Sequence, residues 1–171
     1  MYLQGARAEA NEAETVTIQQ KNMKFRPDVL MVPVGTTVEF PNGDKFAHNV
    51  FSDTRGARFD LGEYKSGSSK SHTFARAVEV KIYCNVHSTM SARLNVVDSS
   101  YIAKVRSNGS FEIPNVPPGD YTIVAWMPNA DETREEITVR SGKASRVYLE
   151  VREGVAPSRH LRKDGTPYGR Y

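Results

Sequence analysis

Val78-Glu79-Val80-Lys81-Ile82-Tyr83 alternates apolar with polar residues, and a period of two puts the apolar side chains on one face of an extended strand. Short runs of the same kind stand at Thr15–Ile18, Val29–Val32, Thr37–Phe40, Tyr101–Val105, Phe111–Ile113, Tyr121–Trp126, Glu136–Val139 and Arg146–Val151. Turn formers separate them: Pro33 to Gly35, Asn42-Gly43-Asp44, Ser107-Asn108-Gly109-Ser110 and Pro117-Pro118-Gly119-Asp120. Long helical periodicity is absent. Many short strands between turn signals restrict the chain to all-β folds, and bundles and doubly wound sheets are excluded.

The pattern divides the chain. Residues 14–98 read as one antiparallel sandwich with a polar, decorated connection between residues 52 and 70, punctuated by Gly56, Gly62 and Gly67. Residues 99–151 carry enough strands for a second, smaller sandwich. Residues 1–13 read as a flexible N-terminal segment outside the fold; Ala6-Arg7-Ala8 there has the form of a signal-peptidase site. Residues 152–171, with five basic and two acidic residues and little apolar content, read as a basic flexible tail. At 39% apolar and 25% charged residues the chain can bury a core. It has no apolar run of about 18 residues, as a helical membrane span would need. Nor does it show the clustered basic and aromatic face of a nucleic-acid binder.

One short stretch carries chemistry. Cys84-Asn85-Val86-His87-Ser88-Thr89-Met90 holds the single cysteine, so an internal disulfide is excluded and the thiol must be explained locally. Following the Val78–Tyr83 strand, Cys84, His87 and Met90 fall on a tight loop at one edge of the sandwich. Thiolate, imidazole and thioether are soft or borderline donors suited to copper. An electron-transfer copper site takes two imidazoles, one thiolate and a weak axial methionine. The second histidine must then be His48, His72 or His160. His48 follows the Asn42-Gly43 turn and can reach the same end as the Cys84 loop; His72 reads as a solvated strand residue and His160 as a solvated tail residue.

Phe40-Pro41-Asn42-Gly43-Asp44-Lys45-Phe46-Ala47-His48-Asn49-Val50-Phe51, with Cys84 to Met90 following 36 residues after His48, resembles the cupredoxins, the type 1 blue copper proteins. Phe25-Arg26-Pro27 and Val34 to Val38 resemble the opening strands of plastocyanin-like members, and the short spacing from Cys84 to Met90 resembles amicyanin. The resemblance implies a Greek-key β-sandwich over residues 14–98, one copper ion, Cu(I)/Cu(II), and the ligands His48, Cys84, His87 and Met90. It further implies that Asn49 ties the two ligand loops together, and that Phe46, Ala47 and Val86 form a docking rim around a solvent-facing His87. Asn85-Val86 departs from the family's Thr-Pro or Ser-Pro, so the proline that stiffens the loop is missing.

Val105 to Trp126 resembles the transthyretin-like module of carboxypeptidase regulatory domains, an accessory β-sandwich. Its Tyr121 and Trp126 read as core, and no active site is expected there. Blue-copper oxidases and nitrite reductases need further histidine-rich centres, which four histidines do not supply, and a binuclear centre needs two cysteines in its loop. The expectation is therefore a mononuclear electron carrier and not an enzyme. Its expected setting is a periplasm or cell surface, and its partner a c-type cytochrome or quinoprotein dehydrogenase. Copper storage or delivery, or a structural or adhesion module braced by copper, are the alternatives.

Overall fold

Six of the nine alternating runs become paired strands. A computed structural model describes residues 1–6, 14–152, 154 and 160–168. Its strands are β1 (Tyr2–Leu3), β2 (Thr15–Thr17), β3 (Gln19–Gln20), β4 (Phe25–Arg26), β5 (Val29–Pro33), β6 (Thr37–Pro41), β7 (His48–Ser52), β8 (Phe59–Tyr64), β9 (Ser69–Thr73), β10 (Val78–Tyr83), β11 (Ser91–Val97), β12 (Gly119–Ala125) and β13 (Thr133–Val139). Among the described residues there is no helix, and so none long and apolar enough to cross a membrane. The chain forms two units, one on Glu12–Val96 with the C-terminal residues, the other on Val97–Ala156 with the N-terminal residues.

The first unit is a Greek-key sandwich. One sheet runs in the order β5-β11-β10-β7-β8, the other β2-β6-β9. Phe25, Val38, Phe40, Val50, Val80, Ile82 and Leu94 are buried in one core cluster of this unit. Burying an aliphatic or aromatic side chain of this size contributes about 1.5–3 kcal/mol. Two polar side chains in the core pair with each other and with the backbone. Gln20 Nε2 donates to the Tyr64 hydroxyl (2.6 Å) and to the Phe40 carbonyl (3.2 Å), and Tyr64 donates to that same carbonyl (2.8 Å). Burial pushes the Tyr64 phenol well above its usual pKa. Tyr64→Phe deprives Gln20 of a buried partner, and a loss of about 1–2 kcal/mol is expected in urea unfolding.

β7 lies between β10 and β8 and is buried along its whole length. Its register with β8 pairs His48 with Tyr64, Asn49 with Glu63, and Phe51 with Asp60, so β8 carries an extra residue between the last two pairs. Gly62 sits in that bulge at φ 66°, a conformation that glycine adopts without a Cβ penalty. The polar connection expected over residues 52–70 thus contains a strand. Its apolar residues Phe59, Leu61 and Tyr64 do not keep the period of two, because the bulge interrupts it.

His72 is also not a solvated strand residue. In β9 it pairs with Val38, whose side chain is wholly buried, and it shares the inward face. Its ring is half-buried, stacked on Phe59 (centroids 4.4 Å apart, planes at 14°) and edge-on to Phe74, and burial lowers its pKa.

The second unit is a three-stranded antiparallel sheet, β1-β12-β13. The first residues, expected to lie outside the fold, supply its edge: Tyr2 pairs with Val124, Leu3 with Ile123, and Leu3 is buried with Ala6 and Ile123. Arg7 and Ala8 of the Ala6-Arg7-Ala8 motif lie outside the described residues. The strands expected at Tyr101–Val105, Phe111–Ile113 and Arg146–Val151 form no ladder beyond the single bridge of Ile102 to Tyr2. Their alternation still governs packing, since Phe111, Ile113, Val147, Leu149 and Tyr121 cover the Leu3–Ile123 core.

Candidate metal centre

Register brings the donors together. β10 and β7 are antiparallel, with Tyr83 opposite Phe51. One step on, Cys84 faces the level of Val50, and His48 lies two residues further along the same inward side of β7. β10 pairs with β11 as far as Tyr83 and Ser91, and the ladder extends one step, because the Cys84 N–H donates to the Met90 carbonyl (3.2 Å). Cys84 to Met90 is therefore a loop closed at its two ends, and the Met90 N–H bonded to the His87 carbonyl (3.1 Å) tightens it. Cys84, Met90 and His48 are fully buried.

His48 Nδ1 and His87 Nδ1 stand 3.2 Å apart, and Cys84 Sγ lies 3.9 Å from the first and 3.8 Å from the second. A point equidistant from all three is about 2.1 Å from each, within the range of about 2.0–2.3 Å for bonds of a comparable divalent ion to imidazole and thiolate. The donor set and its spacing fit a copper ion.

Electrostatics prepare the same atoms. Burial alone would raise the Cys84 pKa, but hydrogen bonding to His48 and the backbone N–H groups of Asn49, Val86 and His87 outweigh it and hold the thiol below its usual value. Burial would lower the pKa of His48; its bonds to Cys84 and Asp44 outweigh that and raise it. His87 is lowered, first by burial and then by repulsion from His48, which favours the neutral ring that can donate a lone pair. His48 thus lies between Cys84 and Asp44, and binding of a soft cation to the thiol and imidazoles releases protons.

Asp44 was hidden in a turn signal. Its carboxylate accepts His48 Nε2–H (2.9 Å), the Met23 N–H (2.9 Å) and the Asn22 N–H (2.7 Å). It is buried, yet these donors overcome the desolvation that would raise its pKa and hold it at about 2. A carboxylate behind an imidazole fixes the ring and makes it a stronger donor. Asn49 Oδ1 accepts the Asn85 N–H (3.3 Å), which ties β7 to the ligand loop. Phe46, 45% exposed, has its ring centroid 5.2 Å from that of His48 and 5.4 Å from that of His87. Ala47 and Val86 are half-buried. His72 and His160 stand apart from the donor cluster, each against aromatic rings.

The model of the copper binding proteins, plastocyanin/azurin family, matches residues 12–97, half of the chain. The chain belongs to this family. One copper ion is the cofactor that the family and the donor set call for. A second model, polysaccharide lyase family 4 domain II, matches residues 75–147. For the second unit the likeness found is to that lyase domain and not to the transthyretin-like module expected.

No curated protein matches the chain. Among solved structures it is similar to the copper-containing nitrite reductase of Thermus scotoductus SA-01 (33% identity, 52% of this chain and 24% of that one, TM-score 0.47). It is also similar to a purple cupredoxin from Nitrosopumilus maritimus (27% identity, 47% and 98%, TM-score 0.42) and to a copper(I) form of an amicyanin variant (26% identity, 48% and 81%, TM-score 0.45). The chain spans about a quarter of the length of the nitrite reductase.

Proposed function

We propose that this chain is a mononuclear type 1 copper protein that carries single electrons between redox proteins, with His48, Cys84 and His87 as close ligands and Met90 as the weak axial one. The observation that supports this most is the meeting of two Nδ1 atoms and one Sγ around a single point, with the thiol held towards its anionic form. Bound there, copper supplies a one-electron couple between Cu(II) and Cu(I). The chain's own residues supply the rest. Asp44 orients His48, three backbone N–H groups stabilise the thiolate, and the core around Met90 keeps water from the buried side. Donors held by a sandwich core rearrange little on a change of charge, which favours fast transfer.

Electrons pass through the His87 side, where Phe46, Ala47 and Val86 offer a small, partly apolar surface of the kind that transient redox partners use. A c-type cytochrome or a quinoprotein dehydrogenase in a periplasm or at a cell surface is the partner class proposed. On this reading the carrier has no reaction of its own.

Visible and electron-spin-resonance spectra of the copper-loaded chain, followed by voltammetry, test the proposal. One copper per chain, an intense thiolate-to-copper colour and a reversible one-electron wave are expected. Copper held without that colour, or an irreversible wave, overturns it.

A further inference from the structure

The ligand loop lacks the proline that would stiffen it, and three consecutive residues at its start, Tyr83, Cys84 and Asn85, are gripped from outside by one segment of the C-terminal tail. His160 stacks on Tyr83 (centroids 4.3 Å apart, planes at 22°). The Tyr168 hydroxyl donates to the Cys84 carbonyl (2.6 Å). The Lys163 backbone N–H donates to Asn85 Oδ1 (3.0 Å), and Lys163 Nζ pairs with Asp60 (2.7 Å).

These contacts close a ring. Asn85 N–H donates to Asn49 Oδ1, Asn49 Nδ2 to Asp60 Oδ1 (2.7 Å), and Lys163 bonds both Asp60 and Asn85. The segment is itself folded as a turn. The Arg162 N–H donates to the Thr166 carbonyl (2.9 Å), the Gly165 N–H to the Arg162 carbonyl (2.9 Å), and the Arg162 guanidinium lies over the Tyr168 ring (5.1 Å). Residues 160–168 are therefore not a free tail, although composition made them one: Lys163 and Tyr168 bond the ligand loop, and Arg162, Gly165 and Thr166 bond within the segment. An exposed pair such as Lys163–Asp60 is weak alone, but here it acts with three other contacts on a run of three residues.

We propose that residues 160–168 belong to the metal centre as a strap, in which Tyr168 and Lys163 are positioning residues that hold the Cys84–Asn85 peptide from outside, so that the thiolate keeps one place in both oxidation states. This rests on the copper reading above. The strap does for the loop what a proline does by covalent constraint: it removes alternative backbone conformations that the two charge states would otherwise populate differently.

The test uses the full chain with Tyr168→Phe, which removes one hydroxyl and leaves the ring contacts, with Lys163→Met, and with both. In protein stripped of metal by a chelator, residue-resolved amide exchange at Asn85 and Met90 is expected to quicken about fivefold to tenfold, as for the loss of one or two net hydrogen bonds, while Ile82 and Leu94 keep their rates. With copper bound, the thiolate charge-transfer band shifts and electron self-exchange slows several-fold. Unchanged exchange at Asn85 overturns the strap. So does an equal rise across β10 and β11, which marks a general stabiliser, or a local rise with the band and self-exchange unmoved. If the unmodified chain shows no thiolate colour, the copper reading fails by itself, and the exchange measurement still decides whether the strap holds the loop.

Discussion

Cys84→Ser is expected to give a folded protein that shows no intense colour with copper and binds it far more weakly. The side chain is wholly buried in the sandwich core, and serine is close to it in volume, so the packing loss is small. The donor loss is not small. A hydroxyl replaces a thiol that three backbone N–H groups and His48 hold towards its anionic form, and a neutral hydroxyl is a poor partner for a soft cation. Absorption after copper titration, with circular dichroism to confirm the fold, checks this. Retained intense colour in the variant would refute the ligand assignment.

Asp44→Asn is expected to raise the reduction potential and to flatten the acid limb of stability. The ionised carboxylate strengthens His48 as a donor and so favours the more highly charged ion; an amide does neither. Loss of such an outer partner costs about 10–100-fold in metal affinity. Borne mainly by Cu(II), at about 59 mV per tenfold for one electron, this moves the potential upward by about 60–120 mV. Voltammetry reads the shift, and an unchanged or lowered potential contradicts it.

The sign of the pH effect follows from a carboxyl whose folded pKa, about 2, lies below the unfolded value of about 3.9. Its contribution is fully present above pH about 4 and is lost as the pH falls towards 2, and amounts to about 2–3 kcal/mol. Urea unfolding of chelator-treated protein at pH 6 and pH 3 should show a gap between parent and variant that narrows at the lower pH.

Three of the four candidate donors stood out because chemistry and spacing coincide in one loop: Cys84, His87 and Met90 make sense only together. His48 was one of three histidines, favoured by its place after the Asn42-Gly43 turn and by its family context; in space the choice follows from the β7–β10 register. His72 and His160 were misjudged as solvated, since the rings that cover them come from other elements, Phe59 from β8 and Tyr83 from β10. Asp44 was concealed because Asn-Gly-Asp is also what any turn requires, and the Asp44 N–H does bond Asn42 Oδ1 (3.0 Å). Alternation says which side chains are buried but not which backbones pair. Phe111, Ile113, Val147 and Leu149 therefore pack on the second core without forming the strands expected there.

The order of the donors along the chain bears on how the protein is assembled. Cys84, His87 and Met90 stay within seven residues of one another even when the chain is unfolded, whereas His48 joins them only when β7 docks beside β10. On the proposed ligand set, three donors remain close together in the unfolded chain; if they hold an ion there, copper raises the melting point by less than its affinity for the native state implies. Occupancy of the fourth position, supplied from 36 residues away, then serves as a marker of completed tertiary structure.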